Sequence, residues 1–133
     1  GSINVFNKVP LSAVNQYFMQ LADNKSKDGS PFLTKLEVEA FIKRAFGGGS
    51  SKKKLSFNVV QSEQMMIWRL FYNFYNSCTL NSEYDSGKQG NKKKYIELVT
   101  KHFTNWRFEQ VDNNFSRSNT KLWKPLKTYI TNT

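Results

Sequence analysis

Apolar residues recur at helical spacing over most of this chain. After Pro10, which suits the first turn of a helix, and again after Thr34, the apolar positions fall on one helical face. The two faces consist of Leu11, Val14, Tyr17, Phe18 and Leu21, and of Val38, Phe41, Ile42, Ala45 and Phe46. The stretch 24–33 between them is mostly polar and contains Gly and Pro, so it predicts a loop.

The second helix has sequence signals at both ends. Thr34 and Glu37 have the spacing of a capping box, in which each side chain bonds the other residue's backbone N–H. Gly47 directly follows Phe46, as a C-terminal cap requires. The stretch GGGSSKKK at 47–54 therefore predicts a helix end followed by a basic loop. A phosphate-binding loop would need Gly-Lys-Ser/Thr between a strand and a helix, whereas here the serines precede the lysines.

The longest uninterrupted apolar pattern predicts a helix at about residues 62–78. Its stripe consists of Ile67, Leu70, Phe71, Phe74, Tyr75 and Cys78. Trp68 and Tyr72 lie beside this stripe, and a helix that is apolar on several sides is usually the buried one. Because Cys78 lies on the stripe, we expect it to be a small core residue rather than a reactive thiol.

Three further apolar sets follow the polar loop at 79–91, and each predicts a helix. They are Ile96, Val99, Phe103 and Trp106; Phe108, Val111 and Phe115; and Leu122, Trp123, Leu126, Tyr129 and Ile130. Pro125 lies inside the last set, so that helix is expected to begin near Lys124 or to be kinked there. The stretch 54–60 alternates weakly and predicts a short extended piece, for which the sequence offers no partner strand.

These elements predict an all-α fold, a single compact domain of five or six helices packed around the central helix at about 62–78. The chain has 133 residues and an aromatic share of 15%, which supplies a sizeable core. We expect the domain to span residues 3–133. Its polar loops are expected near 24–33, 47–58 and 79–91. Gly1 and Ser2 look like a scar left by tag removal, so the lack of a targeting segment carries little weight.

Charge is distributed unevenly along the chain. There are 20 Lys+Arg against 10 Asp+Glu, for a formal net charge of +10. Residues 88–133 hold ten bases and three acids and so account for +7, whereas residues 1–87 account for +3. A basic third of a small domain is the footprint of a polyanion-binding surface, although charge runs also occur on ordinary solvated faces.

Three basic clusters are the candidate contacts. They are Lys92, Lys93 and Lys94; Arg117, Lys121, Lys124 and Lys127; and, as a secondary basic loop, Lys52, Lys53 and Lys54. Lysines at the start of a helix are repelled by the positive end of its dipole, a cost that a bound polyanion would relieve. If the last segment is helical, its lysines form one stripe. Two short helices joined by a tight turn are then compatible with a helix-turn-helix.

Little in the sequence favours catalysis or metal binding. His102 and Cys78 are 24 residues apart, on or beside apolar stripes, with no recognisable orienting partner. Asp23 and Asp28 lack the spacing of a calcium loop. We therefore expect no catalytic residue, no metal and no cofactor, and a small enzyme built on His102 is the least favoured alternative. No apolar run is long enough to span a bilayer, and one cysteine fits a reducing, cytoplasmic location.

Part of the chain resembles a known family. The spacing that carries the resemblance comprises Phe71, Tyr72, Phe74, Lys94, Tyr95, Ile96, Val99 and Phe103, with a polar, basic loop between the two groups. It is similar to the C-terminal helical part of RteC-type regulators of bacterial conjugative elements, apart from the long insert at 79–91. Those proteins are all-helical and bind DNA, so the resemblance implies the same fold class and function here.

Two classes of function follow as expectations. The first is a non-enzymatic nucleic-acid-binding or regulatory domain that uses the basic C-terminal third. The alternative is a helical protein–protein interaction module whose positive charge serves solubility or an acidic partner. A continuous basic face would favour nucleic acid, whereas dispersed lysines would favour ordinary solvation.

Overall fold

Six α-helices form the regular structure of the computed structural model, which describes residues 3–49, 53–85 and 91–130. The helices are α1 (Leu11–Phe18), α2 (Gln20–Asp23), α3 (Lys35–Ala45), α4 (Gln64–Thr79), α5 (Lys92–Thr100) and α6 (Phe108–Asp112). The same ranges contain two 3₁₀ helices, Gln61–Glu63 and Leu126–Tyr129, and no strand of a sheet. The predicted all-α fold class is confirmed. The suggested tag scar, Gly1 and Ser2, lies outside the described residues.

Helix α4 lies at the centre of the core, as the sequence predicts. Its buried residues are Ile67, Trp68, Leu70, Phe71, Phe74 and Cys78. Aromatic rings from other helices pack around it: the ring centroid of Phe18 in α1 lies 5.2 Å from that of Phe71 and 5.0 Å from that of Phe74. Large rings remove much apolar area from water, so a chain with modest overall hydropathy still forms a substantial core.

Both ends of α3 follow the predicted signals. Thr34 Oγ1 accepts a hydrogen bond from the Glu37 N–H at 3.1 Å, and Glu37 Oε1 accepts one from the Thr34 N–H at 2.9 Å, which is the capping box. At the other end, the Gly47 N–H donates to the Lys43 carbonyl at 3.1 Å. Gly48 then has a φ of +75°, a conformation that other residues rarely adopt. The glycines therefore end a helix.

The helix expected to carry Phe103 and Trp106 ends earlier, so that prediction is wrong in its boundary. Helix α5 ends at Thr100, and both aromatic side chains are buried from an irregular segment. The ring of Phe57 stacks on Phe103 with 4.0 Å between centroids and on Trp106 with 5.4 Å. Phe103 and Trp106 continue the apolar pattern because they are buried. The backbone that carries them is nevertheless not helical.

The extended stretch at 54–60 has a partner that its sequence did not reveal. The Leu55 N–H donates to the His102 carbonyl, and the Thr104 N–H donates to the Leu55 carbonyl, both at 2.9 Å. These bonds form one isolated parallel bridge between the two irregular segments. The bridge thus supplies partners to backbone groups that lie outside any helix.

The helix predicted for residues 122–130 is wrong. Only the short 3₁₀ turn Leu126–Tyr129 forms there, after Pro125. Another element holds the preceding backbone: Gln20 Oε1 accepts from the Lys124 N–H at 2.7 Å, and Gln20 Nε2 donates to the Lys124 carbonyl at 3.1 Å. Backbone groups that are bonded elsewhere do not contribute to a helical ladder. The predicted lysine stripe and the helix-turn-helix both required this helix, so both are excluded.

Candidate nucleic-acid interface

Two pockets lie along one side of α4. Arg69, Asn73, Ser77 and Leu80 follow each other at spacings of four, four and three, so they lie on the same side over a length of roughly 16 Å. The facing wall is the C-terminal segment, residues 116–130. Asn73 lines one pocket and Ser77, about one turn later, lines the other. We call these two pockets together the C-terminal groove.

The first of these pockets has a volume of about 460 Å³, and we call it the Arg69 pocket. Its polar lining consists of Arg69, Asn73, Ser118, Asn119, Thr120 and Lys121. Trp123 completes the wall, and its Nε1 is engaged because it donates to the Met66 carbonyl at 2.7 Å. The lining includes cations and no carboxylate, so its charge favours an anion.

Arg69 is the only charged residue in α4, and it is half-buried. Its Nη1 donates to the carbonyl oxygens of Ser116 and Ser118 at 3.1 Å each, and its guanidinium lies 5.0 Å from the ring centroid of Tyr72. Its Nε is buried and finds no acceptor in the described part of the chain, where none of the ion pairs includes Arg69. A partly buried cation without a counter-charge is costly, and a bound anion would lower that cost.

The uncharged side chains around Arg69 are rich in donors. Ser118 Oγ accepts from the Thr120 N–H at 3.3 Å, and Thr120 Oγ1 accepts from the Leu122 N–H at 3.2 Å. A hydroxyl oxygen that already accepts can still donate its own hydrogen. The amides of Asn73 and Asn119 bring further N–H donors to the same pocket. The Arg69 pocket therefore matches a ligand that carries negative charge and accepts hydrogen bonds.

The second pocket has a different character, and we call it the Lys127 pocket. Its volume is about 490 Å³, and Lys127 lies at its wall. The remaining lining is Ser77, Leu80, Asn81, Tyr84, Pro125, Leu126 and Ile130. The Leu80 side chain is 79% exposed and Tyr84 is half-buried. An aromatic and apolar floor beside a cation is the combination on which a nucleotide base can stack while its phosphate is neutralised.

All four basic residues predicted in the C-terminal third are exposed on one segment: Arg117, Lys121, Lys124 and Lys127. Lys121 lines the Arg69 pocket and Lys127 lines the Lys127 pocket, so the structure brings these two to the groove. Arg117 and Lys124 lie on the same wall without lining either pocket.

The three lysines predicted as a cluster at the start of α5 differ in their contacts. Lys94 Nζ lies 3.1 Å from Asp85 Oδ2, donates to the Phe6 carbonyl at 3.1 Å and lies 4.6 Å from the Phe6 ring centroid. Lys92 Nζ lies 3.4 Å from Asp112 Oδ1. Lys93 is exposed. Lys94 therefore joins the N-terminal segment to α5, and Lys93 is the member of the cluster best placed to contact a ligand.

The secondary basic loop lies beside His102. Lys53 and Lys54 are exposed, and the Lys53 carbonyl accepts a hydrogen bond from Arg44 Nη1, whereas Lys52 lies outside the described residues. Burial, assisted by the nearby cations Arg44, Lys101 and Lys54, lowers the pKa of His102 to about 4. The imidazole is therefore neutral at pH 7, and the local cations oppose its protonation.

Cys78 and His102 have the properties of packing residues. Burial raises the pKa of the Cys78 thiol to about 12, so it stays protonated and is a poor nucleophile. His102 packs edge-on against Phe41, with 5.8 Å between ring centroids, and its buried Nδ1 has no partner among the described residues. Within those residues, no group of three His, Cys, Asp or Glu could hold a metal ion. Nor is any helix there both long and apolar enough to cross a membrane.

Sequence reasoning missed Arg69, which lies at the centre of the candidate site. A signal for it exists: a single cation interrupts the helix QMMIWRLFYNFYNSCT, whose other residues are uncharged. A comparison with known proteins found no matching family model, no matching curated protein and no matching solved structure. The resemblance to RteC-type regulators therefore stays a prediction.

Proposed function

We propose that this chain is a non-enzymatic nucleic-acid-binding domain that holds a strand along the C-terminal groove. The observation that carries the proposal is the Arg69 guanidinium, half-buried in a pocket that Lys121 also lines and that contains no carboxylate. A net charge of +10 adds a long-range attraction for any polyanion.

The two pockets of the groove suit different parts of a nucleic-acid strand. The Arg69 pocket offers cations and donors to the backbone, and the Lys127 pocket offers Tyr84 and apolar side chains to a base or sugar. Arg117 and Lys124, exposed on the same wall, contribute charge beside the groove. This arrangement favours recognition of a strand by its phosphates and stacking surfaces, with little dependence on base sequence. A regulatory role and a cytoplasmic location stay predictions.

The test is direct binding to fluorescently labelled nucleic acids. Fluorescence anisotropy should show binding to at least one of duplex DNA, single-stranded DNA and single-stranded RNA at low salt. Log affinity should fall linearly with log salt, because each neutralised phosphate releases condensed counterions. A matched pair, Lys121→Gln and Lys35→Gln, removes one exposed lysine each, and only the first should weaken binding. Absence of binding to all three nucleic acids at low salt would end the proposal.

A second candidate is docking of an acidic protein segment in the same groove. The observation that favours it is the exposure of Leu80, at 79%, and of Leu122, at 40%, since apolar side chains beside cations suit an amphipathic acidic helix. Displacement of the labelled nucleic acid by poly-L-glutamate, at constant ionic strength, separates the two candidates. Equal displacement by poly-L-glutamate and by an oligonucleotide of the same charge would favour the acidic protein.

A further inference from the structure

We propose that the Arg69 pocket is a subsite for a single phosphate group. The inference rests on the proposed function and names the group that the first pocket takes. The chemistry is that of one phosphate whose oxygens accept hydrogen bonds from Arg69, Lys121 and the surrounding hydroxyl and amide groups. Two sources offer this chemistry, a terminal phosphate monoester and a bridging phosphodiester, and the experiment below distinguishes them.

The hydrogen-bonding state of the pocket is the first argument. Ser118 and Thr120 already accept backbone N–H groups through their hydroxyl oxygens, at 3.3 and 3.2 Å. What they can add is therefore donation. A phosphate is an acceptor with several oxygens in a tetrahedral arrangement, so it can engage donors from both walls at once. A neutral ligand would leave the charges of Arg69 and Lys121 uncompensated.

The anchoring of Arg69 is the second argument. Its Nη1 is held by the carbonyl oxygens of Ser116 and Ser118 at 3.1 Å each, which fixes the guanidinium plane at the junction of α4 and the C-terminal segment. A guanidinium already held in place loses less side-chain entropy when it binds an oxyanion. The anchored Arg69 thus offers hydrogen-bond donors in a fixed orientation, and the exposed Lys121 adds a second positive charge.

The size of the pocket is the third argument. At about 460 Å³ it is much larger than one phosphate requires, so a phosphate at Arg69 leaves room for the sugar attached to it. Ser77, about one helical turn beyond Asn73, lines the Lys127 pocket. A strand that places its phosphate against Arg69 can therefore extend along α4.

Inorganic phosphate is the first probe. The full chain, labelled with ¹⁵N, is titrated with phosphate and, at equal ionic strength, with chloride. Phosphate should shift the amide signals of Ser118, Asn119 and Thr120 and the indole signal of Trp123, saturably, whereas chloride should not. Lys121→Gln should weaken the phosphate affinity about tenfold through loss of a charge-assisted contact. Lys124→Gln, which removes an exposed lysine that does not line the pocket, is the matched control and should change it less than about twofold.

Arg69→Lys is the second variant, because it keeps the charge and removes the planar fork. Phosphate affinity should fall about tenfold or more, since Lys cannot reproduce the guanidinium donors. Circular dichroism and urea unfolding of this variant show whether the fold persists. Should it unfold, Lys121→Gln alone decides the matter, because that side chain is exposed and makes no hydrogen bond or ion pair with the described residues.

Two oligonucleotides of one sequence, with and without a 5′-phosphate, distinguish the sources. Tighter binding of the phosphorylated strand, lost in Lys121→Gln, assigns the pocket to a terminal phosphate. Equal affinity of the two strands, with competition by inorganic phosphate that Lys121→Gln abolishes, assigns it to a bridging phosphate. If nucleic acid binds but phosphate neither shifts the pocket signals nor competes, the subsite is overturned and the proposed function stands. If phosphate shifts these signals but no nucleic acid binds, the phosphate subsite stands and the proposed nucleic-acid-binding function fails.

Discussion

Gln20 in α2 binds both backbone groups of Lys124, accepting its N–H at 2.7 Å and donating to its carbonyl at 3.1 Å, across 104 residues of sequence. Gln20 is buried and Lys124 is exposed, so these bonds are partly shielded from water. One side chain thus replaces the two partners that a strand or helix would supply at this position. The bonds position the wall of the C-terminal groove that carries the exposed lysines.

Replacement of Gln20 should loosen this wall. We expect Gln20→Ala to lower the free energy of unfolding by about 1–3 kcal/mol, because it removes two partly buried hydrogen bonds to the Lys124 backbone, each worth about 0.5–1.5 kcal/mol. Urea unfolding followed by circular dichroism measures the change. Gln16→Ala on α1 is the matched control, since Gln16 is exposed, and it should change stability by less than about 0.5 kcal/mol. Equal effects of the two variants would refute the clamp.

The lysines of the groove should determine the salt dependence of binding. Replacing Lys121, Lys124 and Lys127 together by Gln should reduce the slope of log affinity against log salt by up to about three units on duplex DNA. Affinity should fall for all sequences alike, since phosphate contacts carry no sequence information. The triple replacement of Lys52, Lys53 and Lys54 by Gln removes the same charge and should do less. A larger effect of this second triple would place the interface at the other loop.

The adjacent residues Lys93 and Lys94 should differ in their effect on stability. Lys94→Gln removes an ion pair to Asp85, whose side chain is only 9% exposed, and the bond to the Phe6 carbonyl. We expect a loss of about 1–3 kcal/mol, because a mostly buried carboxylate loses its counter-charge. Lys93→Gln, on the exposed surface, should cost less than about 0.5 kcal/mol. Thermal unfolding of both variants checks this, and similar melting temperatures would contradict it.

His102 should make stability depend on pH between about 4 and 6.5. Burial lowers the pKa of the folded imidazole to about 4, below its ordinary value of 6.5. Between these values the unfolded chain binds the proton more readily, so stability falls as pH falls through this window. Because the ring is partly exposed, solvent screening reduces the effect to about 1 kcal/mol. His102→Gln should flatten this part of the curve of unfolding free energy against pH. Identical curves for both proteins would show that other groups cause the dependence.

The sequence predicts the helical core well because burial there follows a regular period. The stripe of α4 and the capping box at Thr34 and Glu37 are local signals, and both are confirmed. The last helix fails for the opposite reason. Its apolar residues have a suitable spacing, but Pro125 and the bonds from Gln20 to Lys124 hold the backbone in another conformation. A partner 104 residues away has no local signature.

The candidate site is predicted in part for a related reason. Charge composition identifies the segment that carries Arg117, Lys121, Lys124 and Lys127, because net charge is readable without a fold. It does not reveal that Lys121 and Arg69 line the same pocket, because this depends on how the C-terminal segment lies against α4. Nor does it reveal that Lys94 is held by Asp85 and Phe6. Proximity in space separates a lysine that supports the fold from one available to a ligand.

The two walls of the C-terminal groove differ in how they are built. Helix α4 is held by its own backbone ladder and by the core. Residues 117–125 are held by the buried Trp123 and by a few side-chain bonds, from Gln20 and Arg69 among others. Such a segment can separate from the core at a lower free-energy cost than global unfolding. Amide hydrogen exchange should therefore be faster there than in α4. A ligand that bridges both walls would slow amide exchange in this segment first. Slower exchange of residues 117–125 would therefore indicate that the groove is occupied.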